Sequence, residues 1–182
     1  MFDTKLGTCG IIYRSVEDAG VVHILLPRSK KDIESRISTQ FPGSKESTSP
    51  KIDKLITEIT QYLNGAPITF SKDLLDTSAF YPFQQKVMKT DWTIPRGKTA
   101  TYGWVAKQIG TKGVRAVGNA NAQNPFPLVY PCHRVIRSDR TLGGFGGGLE
   151  MKRQLLEMEG VKFDSQGRVK AEYINSWWKP TI

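Results

Sequence analysis

Cysteine and histidine are the scarcest reactive residues in this chain, two of each among 182 residues. Thiols as far apart in sequence as Cys9 and Cys132 do not make a disulfide framework, so the chain fits a reducing compartment, the cytoplasm or, in a eukaryote, the nucleus. The potential metal ligands Cys9, His23, Cys132 and His133 lack the short paired spacings of structural zinc, and neither a metal nor another cofactor is expected. No apolar run is long enough to span a bilayer, and Met1-Phe2-Asp3-Thr4-Lys5 lacks the charged-then-apolar pattern of a signal peptide, so no membrane partner is expected. Acidic residues are short as well: 17 Asp and Glu against 26 Lys and Arg give a net charge of +9 and a pI of about 9.6. That balance suits a polyanion, yet many basic enzymes bind no nucleic acid, so the placement of the charge must decide.

What is present reads as two halves, each able to bury a modest core. β-rich runs at 10–16 and 21–26, separated by Glu17-Asp18-Ala19-Gly20, predict a hairpin. Residues 42–49 form a polar, Ser-rich loop. Beyond it Ile52, Leu55, Ile56, Ile59 and Leu63 recur at helical spacing, with Pro50 at an early helical position and Gly65 as the stop. Residues 1–77 are thus expected to be a small α/β support domain, an antiparallel hairpin or sheet plus a helix, without a catalytic constellation. Residues 78–182 read differently. A helix over 83–89 is entered through Pro82, a loop covers 94–98, and a second helix covers 101–109 with Val105 and Ile109 on one face. Gly110-Thr111-Lys112-Gly113 makes a turn into a third helix over 114–122, which is the helix-turn-helix pattern. Short β-like runs at 128–130 and 135–137, a glycine-rich stretch at 143–148 and a last helix from Leu149 to Gly160 complete it. The expected class is α+β, with a small α/β domain followed by a helical, winged-helix-like DNA-binding and catalytic domain whose wing is rebuilt around a cysteine.

In the third helix Arg115 shares a face with Gly118, Asn119 and Ala122, one large cation among small side chains. Two readings stand. Such a helix packs tightly within its own domain, or its backbone approaches a narrow groove and Arg115 enters the base stack; major-groove readers usually present several long polar side chains instead. Pro131-Cys132-His133-Arg134 places a thiol beside a base. A free cysteine is more often a small buried hydrophobe than a nucleophile, and neighbours on an extended strand point to opposite faces. For His133 to serve Cys132, the chain must turn there or a water must bridge the two. Pro131 and Asn124-Pro125-Phe126-Pro127 fit such an irregular backbone, and His133, Arg134 and Arg137 are the nearby groups that would favour a thiolate. Glu159 is the natural third member, with Glu157 as an equally acidic competitor; a carboxylate at a helix C-terminus needs a compensating cation or donor.

Ile94-Pro95-Arg96-Gly97-Lys98-Thr99, Tyr102, Arg115-Ala116-Val117-Gly118, Asn124-Pro125, Pro131-Cys132-His133-Arg134-Val135 and the stretch from Gly147-Gly148-Leu149 to Glu159-Gly160 occur in one order. Together they resemble the O6-alkylguanine-DNA alkyltransferases, over roughly residues 78–163 and only in outline before that. The resemblance implies repair of double-stranded DNA carrying an alkylated guanine, reached from the minor groove by a monomer that flips the nucleotide out and moves the alkyl group irreversibly to its own Cys132. It implies that His133 accepts the thiol proton through a water, that Glu159 orients His133, and that Asn124 braces the active-site turn. Tyr102 would crowd the target phosphate and give a proton to the departing guanine, and Arg115 would fill the gap left by the flipped nucleotide. The carbonyls of Cys132 and Val135 would accept from the guanine amine and the amide of Gly146 would donate to O6. Phe145, Arg134, Ala116, Gly118 and Asn119 complete the implied substrate and DNA contacts. Phe145 and Gly146 stand where many relatives carry Tyr and Ser, and Cys9 and His23 do not complete the zinc site of some relatives. The alternatives are a lesion-binding protein that does not repair, and a Cys-His-Glu hydrolase. Tyr173, Trp177 and Trp178 in the tail are expected to pack back on the body.

Overall fold

The β-branched and aliphatic residues that open the chain favour strands. In the computed structural model, which describes residues 1–15 and 20–178, β1 (Phe2–Thr4), β2 (Gly7–Tyr13) and β3 (Val21–Arg28) form an antiparallel sheet in that order. Phe2 stands opposite Cys9, and Ile11 opposite Ile24. The turn expected over 17–20 lies, apart from Gly20, outside the described residues, as does Val16. Gly7 has φ 123°, and a Cβ there would stand 2.6 Å from the carbonyl oxygen of Arg28, so the step from β1 to β2 requires glycine.

Helix α1 (Lys30–Gln40) was not legible, because its residues are mostly polar and Ile33 alone is buried. Its start is set by a cap: the Ser29 hydroxyl oxygen accepts from the Asp32 N–H at 3.2 Å, and Asp32 also favours the positive end of the helix dipole. Helix α2 (Pro50–Leu63) follows the expected periodicity, with Ile52, Leu55 and Ile59 buried, Ser49 capping the Ile52 N–H and Gly65 at φ 98° beyond the end.

The chain divides into two compact units, 1–79 with 125–129, and 80–124 with 130–182. The charge is divided too. The first unit has ten basic and ten acidic residues and the second sixteen and seven, so the whole +9 belongs to the second.

In the second unit α3 (Pro82–Trp92) runs past the expected end at Lys89, because Gln84, Val87, Met88 and Asp91 continue one buried face. β4 (Ala100–Thr101) leads into α4 (Tyr102–Gln108), whose first turn is capped by the Thr101 hydroxyl accepting from the Trp104 N–H at 3.0 Å. Gly110, at φ 72°, turns the chain toward α5 (Val114–Ala122). The run at 128–130 is not a strand: Leu128 has φ 73°, a conformation that breaks an extended segment. The expected wing is therefore replaced by a 3-10 turn at Cys132–Arg134 and the short strand β5 (Val135–Ile136), which pairs parallel to β4 with Ala100 opposite Val135. Helix α6 (Leu149–Met158) ends at Glu159, ahead of Gly160 at φ 90°. The tail packs on this unit. Thr99 bridges Ile174, and the rings of Trp177 and Trp178 lie 5.2 and 5.3 Å from that of Trp104. Among the described residues, no helix is long and apolar enough to cross a membrane.

Candidate active site

Cys132 opens the 3-10 turn and is 5% exposed. The turn, rather than a strand, supplies the irregular backbone that a Cys-His pair requires. Asn124 fixes it with one amide group: Nδ2 donates to the Tyr130 carbonyl at 2.9 Å and to Cys132 Sγ at 3.2 Å. Burial pushes the thiol up to about 11, against the opposing donation from Asn124.

His133 is fully buried, with Nε2 3.0 Å from Glu159 Oε1. Arg134 then forks onto the same carboxylate, Nε at 3.0 Å from Oε2 and Nη2 at 2.8 Å from Oε1, while its Nη1 donates to the Ile94 carbonyl at 2.7 Å. The Gly97 N–H adds a donor to Glu159 Oε2 at 3.2 Å. These groups supply the compensation that a carboxylate at a helix C-terminus needs. Glu157, the acidic competitor, instead pairs with Arg153 at 2.9 Å on the outer face of α6. Burial works to raise the Glu159 carboxyl, but the charges and hydrogen bonds of His133 and Arg134 outweigh it and hold the group ionised, well below the usual carboxylate range. Burial lowers His133 despite Glu159, with Arg134 and Lys152 acting the same way, so the imidazole rests neutral. Arg134 was expected at the DNA; its fork is committed to Glu159 and it is buried, because a buried carboxylate holds an adjacent guanidinium more strongly than solvent does.

A pocket of about 440 Å³ opens over the thiol, within the usual range for small-molecule sites. It brings together Tyr102, Arg115, Gly118, Cys132, Phe145 and Gly146 of the expected set, while Ala116 and Asn119 are exposed on α5 outside its lining. The Tyr102 hydroxyl donates to the Gly144 carbonyl at 3.4 Å, and its acidity is weakened to about 12, chiefly by burial. Gly143, at φ 68°, lets the loop ride on that ring, since a Cβ there would be 2.9 Å from Tyr102 Cε2.

Three polar residues around this pocket escaped the sequence reading. Lys152 is fully buried and donates to the carbonyls of Val135 and Leu142, each at 2.6 Å, and of Gly144 at 3.3 Å. Burial lowers it to about 8 in spite of Cys132 and Asp91, which favour its charged form. Asp91 is fully buried on α3, and Asn121 is 8% exposed on α5 and lines the pocket. The signal was available in each case as a polar residue at a core position of a helix: Lys152 falls in register with Leu155, Leu156 and Glu159, and Asp91 with Gln84, Val87 and Met88. Among the described residues, no three His, Cys, Asp or Glu side chains gather as a metal-binding group.

The sequence model of the 6-O-methylguanine DNA methyltransferase DNA-binding domain matches residues 82–161. The methylated-DNA–protein-cysteine methyltransferase of Methanothermobacter thermautotrophicus is 44% identical over 124 residues, 68% of this chain and 70% of that protein. The chain belongs to the methylated-DNA–protein-cysteine methyltransferase family. Two solved methyltransferase structures share its fold. Mycobacterium tuberculosis OGT in complex with DNA aligns with TM-score 0.67 and 31% identity over 87% of this chain and 89% of that one. The O6-methylguanine-DNA methyltransferase of Pyrococcus kodakaraensis aligns with TM-score 0.65 and 29% identity over 84% and 91%. The stretch matched by the methyltransferase domain contains Tyr102, Arg115, Asn124, Cys132, His133 and Glu159 together with Asp91, Asn121 and Lys152.

Proposed function

We propose that this protein repairs O6-alkylguanine in double-stranded DNA by irreversible transfer of the alkyl group to its own Cys132. One observation carries the reading: a buried thiol at the base of a pocket, braced by Asn124 and adjoining a neutral imidazole locked to an ionised carboxylate. With the thiol near 11, few molecules are thiolates at neutral pH, so the nucleophile has to be made by proton transfer as the substrate arrives. Glu159 engages Nε2, so the proton enters the ring at Nδ1, through a water, and Glu159 stabilises the imidazolium formed.

The reacting atom of a paired guanine is out of reach, so the nucleotide is extruded at a cost of a few kcal/mol. Helix α5 approaches the minor groove on its Gly118 side, where no atom stands within 4 Å of an added Cβ, and exposed Arg115 fills the vacated stack. In the transfer the Sγ–C bond forms as the C–O6 bond breaks, and the electron pair leaves with the guanine. Tyr102 donates a proton to that guanine as its charge develops, then regains one as the imidazolium releases its own. The carbonyls of Cys132 and Val135 hold the guanine amine. Each already accepts one donor, from the Val135 N–H and from Lys152 respectively, and keeps a second lone pair. Because water does not cleave a thioether, one molecule repairs one lesion. Every proposed group comes from a single copy of the chain, consistent with a monomer acting in the cytoplasm or nucleus, with residues 1–77 as the support domain.

Intact mass after mixing with duplex DNA holding one O6-methylguanine tests this. The expected result is a gain of about one methylene's mass at Cys132 that stops at one equivalent. Tight binding with no gain would mean a lesion-recognition protein instead.

A further inference from the structure

Arg137 lines the pocket and has no part in the transfer steps given above. Its place in the sequence suggests a cation that would favour a thiolate, but the charges that act on Cys132 are those of Asp91 and Lys152. Its backbone is fixed where β5 ends. The Arg137 N–H donates to the Thr141 carbonyl at 2.9 Å, and its carbonyl accepts from the Arg140 N–H at 3.0 Å. Asp139, inside that turn, accepts from the Thr141 N–H at 3.0 Å and from the Thr141 hydroxyl at 2.7 Å. Among the described residues, no carboxylate forms an ion pair with Arg137, and none of those lining the pocket is acidic. The side chain is exposed, so its charge is not neutralised within the fold.

Its neighbour is Tyr102. A Cβ at Gly143 would stand 3.2 Å from the Tyr102 hydroxyl oxygen and 3.4 Å from Arg137 Cγ, so the phenol and the arginine stem meet at that glycine. The guanidinium is carried only a short way beyond Cγ. Burial, with the charges of Cys132 and Asp91, weakens Tyr102 as an acid to about 12, and the charge of Arg137 works in the opposite direction. Lys152 also approaches the ring, with Nζ 5.8 Å from its centroid, but its ammonium is committed to three backbone carbonyls.

A phenol so weak is a poor proton donor at neutral pH unless the oxygen left behind is stabilised. Resting on the alkyltransferase reading above, we infer that Arg137 acts through Tyr102: its guanidinium offsets the negative charge on the Tyr102 oxygen while the proton is on the departing guanine. The bond changes are those of the methyl reaction. The C–O6 bond breaks as Sγ–C forms, guanine leaves with the electron pair and takes the Tyr102 proton. The tyrosinate then regains the proton that the imidazolium releases, and no bond changes at Arg137. In the open protein water screens the pair, and DNA lying over the pocket removes that screening at the moment the charge develops. Arg137 is thus a positioning residue for the acid.

The test is the rate of methyl transfer to the full chain from saturating duplex DNA holding one O6-methylguanine, followed by the mass of Cys132. Saturation removes differences in binding, and an unfolded fraction lowers the amplitude rather than the rate constant. Arg137→Gln is expected to slow transfer about tenfold, between the few-fold value of an exposed charge pair and the hundredfold of an enclosed donor. Arg137→Lys keeps the charge and is expected to stay within about threefold of wild type. In a Tyr102→Phe background, Arg137→Gln should change the rate by no more than about twofold, because the group it acts on is gone. Should that background transfer too slowly to compare, 3-fluorotyrosine in place of Tyr102 gives a direct reading: Arg137→Gln should move its fluorine titration to higher pH, and Arg137→Lys should not. An unmoved titration, an equal loss in Arg137→Gln and Arg137→Lys, or a loss below about twofold in Arg137→Gln overturns the inference while methyl transfer stands. The same loss with and without the Tyr102 hydroxyl also overturns it, and would mean that Arg137 meets the DNA itself. Absence of any adduct on the wild-type chain overturns the alkyltransferase reading and this inference with it.

Discussion

Cys132 is a weak acid where it stands, and the residues around it determine how weak. Burial raises the thiol to about 11, and the Asn124 amide is the first group that opposes it. Asn124→Ala removes a donor that favours the thiolate, so the thiol should titrate above 11, read from thiolate absorbance against pH. An unchanged or lower titration would mean that Asn124 only braces the Tyr130 carbonyl. A second expectation concerns acid. Burial holds folded His133 below the ordinary imidazole value of 6.5, while the unfolded chain binds a proton there. Below pH 6.5 the unfolded state therefore holds more protons, and stability falls as pH drops. Glu159 acts in the same sense further down: its folded value is depressed from 4.5, so its contribution is present above that pH and lost as pH falls through the folded value. Alkyl transfer should decline on acidification as the imidazole becomes charged, and denaturant midpoints should fall as well; midpoints flat between pH 7 and 5 would contradict a buried neutral His133. At this scale the sequence was informative wherever a short motif singles out the groups that line the pocket or contact its neighbours, as with Cys132 at the pocket and His133 against Glu159. It could not separate Glu159 from Glu157, because the two lie on opposite sides of the end of α6 and only the packing of that helix decides which carboxylate meets Arg134. Arg134 itself was misplaced because adjacency to a nucleophile carries no information on side-chain direction.

Helix α5 is the element in which fold and function place opposite demands. Val117 and Ala120 bury its inner face, while Gly118 faces open space, so packing within the unit does not require glycine there. Gly118→Ala should stabilise the protein by up to about 1 kcal/mol through helix propensity, measured by denaturant unfolding. The same substitution should weaken binding to duplex DNA if this face meets a narrow groove, measured by anisotropy at fixed salt. Tighter packing with unchanged DNA affinity would remove the glycine from the interface. The elements were legible to the degree that their pattern was local. Helices α2 and α5 followed from apolar spacing and from the turn at Gly110, whereas α1 rests on a Ser29 cap and one buried isoleucine, too little for periodicity. The pairing of β4 with β5 joins two-residue strands 35 positions apart in sequence, Ala100 with Val135, and strands so short have no pattern to read.

For the molecule as a whole, charge placement answers what total charge could not. A basic protein whose charge is spread evenly has no preferred face for a polyanion, but here the first unit is neutral and the second holds all of the +9. Exposed Lys107, Lys112 and Arg115 belong to α4, α5 and the turn between them, the elements proposed to approach DNA. Binding should therefore be strongly salt-dependent. Neutralising about five phosphates gives a slope of about −4.5 for log K against log salt, so a fourfold rise in salt weakens binding by about 500-fold. The slope also locates the contacts. Reversing Lys112 to Glu should make it shallower by about one unit, while reversing the equally exposed Lys31 of the first unit should leave it unchanged. If Lys31 changes the slope as much as Lys112 does, the DNA reaches the neutral unit as well, and docking through the helix-turn-helix of the second unit alone is wrong.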